Sequence, residues 1–405
     1  MSDLREEAVA PVAVGAEGPQ PAASGSAPLV LLGAGASVEA GVPATFQMTQ
    51  KLVEAIAQQP WSQAAQALNF VCGALVAYDA AGGSDPYAGL DVERVFAAVE
   101  LLGERRSLEV TPFVGTWHPA VDVWDRPPKP SFFDRKLRDA LLKDPPFDRA
   151  RDELMKLIQS VTGVGTGATY QRLAEQMVQQ LRSLVEADAS SLDYLTPLVT
   201  AAKQPRGITV ATLNYDLAIE QSAEAGGVPV DTGIDRWALD RQWTWADDGL
   251  RLLKLHGSID WCWEAVEPAP GQLPHRTVAR TDSPRTDTRP PVVVFGQRAK
   301  LRAEGPFLSL LNEFEAALSQ ADRLIVIGYS FRDDHVNEVI RQWTTEDLDR
   351  TLVLVDPSDP RNWKRGEFRT DLLNHLNRKP WEPEGDDRVE VLTATASEAL
   401  NDLFP

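Results

Sequence analysis

Apolar positions along the chain alternate between short continuous runs and stretches of helical spacing. Residues 28–32, Pro-Leu-Val-Leu-Leu, form a run closed by Gly33. A run this short, bounded by glycine, fits a strand buried on both faces better than a helix. The β-branched run at 207–213 has the same character, and 250–256, 291–295, 323–327, 351–355 and 388–392 follow as further strand candidates. Between them the period changes. Pro43 can open a helix, after which Met48, Leu52, Val53 and Ile56 recur at helical spacing. Residues 307–318, 335–343 and 368–376 read as helices in the same way. Strands alternating with helices imply βαβ units and a mainly parallel sheet, which binds ligands beyond the carboxyl ends of its strands.

One stretch departs from this alternation. From residue 61 to 203 the pattern is mostly helical, with Val92, Val95, Phe96, Val99 and Leu102 on one face. Leu154, Leu157, Ile158 and Val161 share a second face, and Leu173, Met177, Leu181 and Leu184 a third. Residues 110–146 interrupt it with Trp117, Trp124, Pro127, Pro128 and Pro130 and read as a loop or lid. The expected organisation is a disordered tail at 1–27, a sheet domain built from 28–60 and 204–405, and a helical insertion at 61–203. Residues 280–290 read as a polar surface loop and 382–387 as an acidic turn.

Composition narrows the function. The 405 residues carry 40 Lys+Arg against 59 Asp+Glu, a formal charge of −19. Such a field repels a phosphate backbone, so direct nucleic-acid binding is not expected, although a local anion pocket is compatible with it. The two cysteines, Cys72 and Cys262, form no CxxC pair for a structural zinc, and no metal is expected. Their usage suits a reducing cytoplasm. The contiguous apolar runs fall far short of the ~20 residues of a membrane span, and the acidic start (Asp3, Glu6, Glu7) lacks the pattern of a secretory signal.

Chemistry gathers at the strand ends. The first strand runs into Gly33-Ala34-Gly35-Ala36-Ser37, with Gly41 beyond. Two glycines around one small residue let a backbone approach a phosphate, although the same pattern also makes a tight strand-to-helix turn. The third glycine comes too late for G-x-G-x-x-G, and the Walker lysine is missing. Asn214-Tyr215-Asp216 ends the 207–213 strand, either to meet a ribose and a water or to cap the next helix. His256-Gly257-Ser258 ends the next strand and places a candidate general base at the ligand edge. Of the other histidines, His118, His275, His335 and His375, none is delivered there by a strand. Gly328-Tyr329-Ser330-Phe331 follows the fourth strand, and Asp356-Pro357-Ser358 the fifth, where Asp356 binds an adenosine ribose or caps a turn. Arg332-Asp333-Asp334 reads as a salt-linked turn or a regulatory contact. The aromatic cluster of Trp237, Trp243 and Trp245 reads as packing.

Taken in order, these segments resemble the sirtuin-like, NAD-binding family. Gly33 to Ser37 with Ala40-Gly41-Val42-Pro43 is similar to its opening GAG(I/A)S…AG(I/V)P loop. Thr212-Leu213-Asn214-Tyr215-Asp216 resembles T-Q-N-x-D, Leu255-His256-Gly257 the catalytic H-G, and Gly328-Tyr329-Ser330 the G-T/Y-S loop. The resemblance spans about residues 28–43 and 207–355 and implies an α/β, Rossmann-like, mainly parallel sheet carrying the helical insertion. The two CxxC pairs of sirtuin deacylases are absent, and Ala44-Thr45-Phe46 stands where they have Asp-Phe-Arg. The run from Gly328 to His335 is instead similar to bacterial sirtuin-like effectors of anti-phage defence, which hydrolyse NAD. Many of those act through self-assembly or a partner: a HerA-type translocase, a short Argonaute or a nucleotide-sensing subunit.

That resemblance implies NAD as substrate. Gly33, Ala34, Gly35, Ala36, Ser37, Gly328, Tyr329 and Ser330 would hold its diphosphate and ribose, and Asp356 its adenine-side ribose. Asn214 would place water or the nicotinamide ribose, Asp216 would stabilise positive charge on the sugar, and His256 would act as general base. The competing expectations are a non-enzymatic sensor of NAD or ADP-ribose and an NAD-dependent protein deacylase.

Overall fold

The computed structural model describes residues 28–59, 62–84, 90–113, 121, 167–205, 207–267, 271, 273–284, 286–295, 305–377 and 387–405. In chain order the strands are β1 (Leu29–Leu32), β2 (Ile208–Thr212), β3 (Val230–Asp231), β4 (Leu250–Lys254), β5 (Gly257–Val266), β6 (His275–Arg280), β7 (Pro291–Val293), β8 (Arg323–Ile327), β9 (Thr351–Val355) and β10 (Val389–Leu392). The helices are α1 (Thr45–Ala57), α2 (Ser62–Ala81), α3 (Val92–Glu104), α4 (Ala168–Leu184), α5 (Thr196–Ala201), α6 (Ala218–Ala225), α7 (Ile234–Asp240), α8 (Phe307–Ser319), α9 (Asp334–Glu346), α10 (Phe368–Leu376) and α11 (Ala396–Leu403).

Seven strands form one wholly parallel sheet in the order β10-β9-β8-β1-β2-β4-β3. β1 is central, with Leu29 in register with Thr209 on one side and Leu324 on the other. Strand side chains alternate between faces with period two, so each buried run feeds two cores. Val30, Leu32, Val210, Ile325 and Val353 join Leu52, Ile56, Leu68, Val95, Leu173 and Leu181 of α1–α4. Leu29, Leu31, Ala211, Leu324, Val326 and Leu354 join Leu310 and Phe314 of α8 and Ile340 of α9. The Rossmann-like α/β reading therefore holds. The described helices of 61–203 form a layer sharing one core with the sheet.

Two features differ from the sequence reading. Residues 291–295 were expected in the parallel sheet. Instead β7 pairs antiparallel with β5, in a separate sheet ordered β6-β5-β7. Gly257, at φ +83°, turns the chain straight from the end of β4 into β5. This unit is tied to the helical layer by Arg182 of α4, which donates from Nε to the Ile259 carbonyl (3.0 Å) and from Nη1 to that of Asp287 (2.6 Å). Secondly, residues 63–81 of α2 are long and apolar enough to cross a membrane by length and composition, with mean hydropathy 1.2. Their apolarity is spread over alanines, which a scan for contiguous runs overlooks, and Ala64, Ala67, Leu68 and Val71 pack into the core.

The tryptophans stack as expected: Trp237 on Trp243 and Trp243 on Trp245, at 5.9 and 5.6 Å between ring centres. The tail at 1–27, His118, the helical face through Leu154 and most of the 110–146 loop and of the 382–387 turn lie outside the described residues.

Candidate active site

The strand order reverses beside β1, and the loops after β1 and β8 meet at that crevice, the position where open α/β sheets bind ligands. Their backbones touch. Gly33 N–H donates to the Ile327 carbonyl (2.9 Å) and Gly35 N–H to that of Gly328 (2.8 Å). A Cβ on Gly33 would stand 2.5 Å from Tyr329 Cα, and one on Gly328, at φ +65°, 2.4 Å from Ala36 N. The glycines are thus required by the contact of two loops. Ala36 N–H is also spent on the Gly33 carbonyl, and Gly328 N–H on that of Val355. Of the residues expected to hold phosphate, Ala34, Ser37, Tyr329 and Ser330 line the resulting cleft, while Gly33, Gly35, Ala36 and Gly328 shape it.

The cleft encloses about 800 Å³ including its open mouth, a size suited to a small-molecule ligand. Asn214 closes the floor: its Nδ2 donates to the Gly33 carbonyl (2.9 Å) and to Ser37 Oγ (2.8 Å). Asp216 is buried at the edge, its Oδ1 accepting the Ala218 N–H (3.0 Å), so it serves the start of α6 as well as facing the cleft. Beneath it, fully buried Lys254 donates to the Asp216 carbonyl (2.6 Å) and to Glu220 Oε1 (2.7 Å). Burial pushes the Glu220 carboxyl above its usual range, against the opposing charge of Lys254.

His256, 8% exposed, lines the cleft, and its Nε2 lies 2.7 Å from Asp333 Oδ2. Asp333 also caps α9 through Oδ1, which accepts the His335 N–H at 3.0 Å. The Tyr329 hydroxyl accepts the Asp333 N–H (3.1 Å) and donates to Asn337 Oδ1 (3.0 Å). Burial, reinforced by the charge of Asp333, holds the Tyr329 phenol well above its ordinary value.

The opposite wall comes from the helical layer. Asp91, Val92 and Glu93 at the start of α3 line it with Val42, Pro43, Met48 and Val185. Asp91 caps α3 through the Glu93 N–H (2.8 Å) and pairs with Arg332 across the mouth. The Tyr215 hydroxyl donates to the Val294 carbonyl (2.8 Å) and lies 3.4 Å from Glu93 Oε1. Burial first, then the charges of Glu93, Asp333 and Asp91, push its phenol well up. The segment after β7 joins the walls: Phe295 packs on Phe96 at 4.4 Å, and Val294 N–H donates to the His256 carbonyl (2.8 Å).

Asn214, Asp216, His256, Ala34, Ser37, Tyr329 and Ser330 are therefore brought together. Asp356 is not among the cleft's lining residues. It accepts the Ser358 N–H (2.8 Å) and the Arg369 guanidinium (2.5 Å), the arrangement of a turn cap. The sequence reading missed Asp333 as the partner of His256, and Asp91, Glu93, Lys254 and Phe295 altogether. Only the caps carried a signal: Asp91 and Asp333 each stand just ahead of an apolar helical pattern. Among the described residues, no group of three or more His, Cys, Asp or Glu is arranged to hold a metal ion.

A parallel sheet of this order, with histidine, asparagine and aspartate at its carboxyl edge, defines a Rossmann-like α/β protein with a cleft at the ligand edge of its sheet. Residues 208–380 match the family model of the SIR2-like domain. Among solved structures it is similar to a mutant Sir2 homologue in complex with ADP-ribose, at 14% identity over 93% of this chain and 89% of the other, TM-score 0.33. It is also similar to a Sir2 homologue–NAD complex, at 12% identity over 93% and 87%, TM-score 0.33. No curated protein matches the chain.

Proposed function

We propose that the cleft binds NAD and hydrolyses the bond between nicotinamide and ribose, releasing nicotinamide, ADP-ribose and a proton. The observation that carries this reading is the charge of the cleft around His256. Among the described residues, Asp91, Glu93, Asp216 and Asp333 line it with Arg332 as the one Lys or Arg side chain. Such a lining around His256 suits the cationic end of NAD and the positive charge that grows on the ribose as neutral nicotinamide leaves. The diphosphate lies across the loop from Ala34 to Ser37 and the Tyr329–Ser330 turn, with Arg332 at the mouth. Asn214 orients the nicotinamide ribose, Asp216 and Glu93 stabilise the developing cation, and His256 takes the proton of the attacking water.

By the resemblance of the Gly328–His335 run, the protein acts in the cytoplasm as an anti-phage effector. It is controlled by homo-oligomer assembly or by a defence partner such as a HerA-type translocase, a short Argonaute or a nucleotide-sensing subunit. Incubation with NAD, alone and with the neighbouring gene products, should release nicotinamide and ADP-ribose in equal amounts. His256→Ala should lower kcat by about 10²- to 10⁴-fold; an unchanged rate would remove His256 from the mechanism. Tight NAD binding without turnover under every condition would make the protein a sensor. Acyl-ADP-ribose formed from an acylated peptide would make it a deacylase.

A further inference from the structure

We infer that Asp333 is a positioning residue for His256, fixing the imidazole as its Nε2–H tautomer so that Nδ1 is the basic nitrogen offered to the reaction. An ionised carboxylate only accepts hydrogen bonds, and a neutral imidazole has one N–H and one acceptor nitrogen. Asp333 lies at the N-terminus of a 13-residue helix and its Oδ1 caps the His335 N–H. The partial positive charge of that helix end favours the ionised form. Oδ2 meets His256 Nε2 at 2.7 Å, and since a carboxylate only accepts, in the neutral ring the proton sits on Nε2 and the lone pair on Nδ1. Among the described residues Nδ1 has no hydrogen-bond partner.

The carboxylate is itself braced. Tyr329 holds the Asp333 N–H, and Asn337 joins the Tyr329 hydroxyl (3.0 Å) to the Phe331 carbonyl (2.8 Å). Phe331 takes φ +55°, so the turn between β8 and α9 is held in a left-handed conformation that a bulky residue rarely adopts unaided. Tyr215 lies beside the imidazole, with ring planes 28° apart. An acid on one ring nitrogen and the reacting proton on the other is the arrangement by which carboxylate–histidine pairs fix tautomer and direction.

This rests on the hydrolase reading for its kinetic consequence only, so the test has two arms. Long-range ¹H–¹⁵N spectra of imidazole-labelled protein at neutral pH should show His256 protonated at Nε2 and bare at Nδ1. In Asp333→Asn, where asparagine still caps α9 but the amide can donate to the ring as well as accept, the Nδ1–H form should gain population. In the kinetic arm Asp333→Asn should lower kcat by about 10- to 10³-fold with KM within roughly threefold. A wild-type ring protonated at Nδ1, or a tautomer unmoved by Asp333→Asn, overturns the inference. So does full turnover in Asp333→Asn when His256→Ala is inactive. If His256→Ala keeps the wild-type rate, the role of His256 in hydrolysis fails, and the spectra alone decide the tautomer.

Discussion

The two walls of the cleft are built on different principles. The sheet wall consists of strand-end loops locked to one another by backbone contacts, from Gly33 against Tyr329 to Asn214 against Ser37. The helical wall offers the side chains of one helix start, Asp91 and Glu93, which meet the sheet wall through single contacts at Arg332 and Tyr215. The sheet wall should therefore fail as a structure, and the helical wall as chemistry.

The largest effect is expected under the sheet wall. Lys254→Met strands Glu220 in a buried site and should cost about 3–5 kcal/mol in urea unfolding, much of it recovered in Lys254→Met/Glu220→Leu. Failure of the double variant to recover would mean that Lys254 acts mainly through the Asp216 carbonyl. Gly328→Ala adds a Cβ at positive φ against the Ala36 nitrogen and should cost about 2–4 kcal/mol, read from the same unfolding curves. On the helical wall, Glu93→Gln should leave stability within about 0.5 kcal/mol. It should slow NAD turnover by roughly 10- to 100-fold, the equivalent of about 1.5–3 kcal/mol. A Glu93→Gln protein that unfolds early would erase the distinction between the walls. Arg332→Ala, which removes a half-exposed pair, should raise KM for NAD several-fold with kcat nearly unchanged.

The smallest effect belongs to the joint between the walls, where Asp188 N–H donates to the Ala40 carbonyl. The hydroxyl and amide of Ser190 hold the exposed Asp188 carboxyl below its usual range. A carboxyl lowered by folding contributes stability that is complete above its unfolded value, about pH 4, and is lost as pH falls through the folded one. Asp188→Asn should accordingly flatten the acid limb of a denaturation midpoint–pH curve and leave neutral pH little changed.

The comparison also explains what was legible. Strand ends are read from apolar runs, so Asn214, Asp216 and His256 could be placed at one edge from sequence order alone. Glycine next to a strand end is ambiguous, because phosphate approach and loop contact both demand a missing Cβ. Here the Gly33–Tyr329 and Gly328–Ala36 contacts show that loop contact alone already demands it. Asp356 was ambiguous in the same way, and it accepts the Ser358 N–H and the Arg369 guanidinium away from the cleft's lining. β5 and β6 were overlooked because only Leu255 and His256 separate the end of β4 at Lys254 from Gly257, which opens β5, without the polar interval that marks a turn.

By itself the sequence determined the parallel sheet, the helices that cover it and the identity of the strand-end residues, because each is written in local periodicity and a short buried run has few alternatives. Only the tertiary structure decided that Asp333 meets His256 across 77 residues, that Glu93 faces Tyr215 across 122, and that the glycines meet each other. Those are pairings between distant segments, fixed by how the layers pack, and no local pattern encodes which segment a strand end will face.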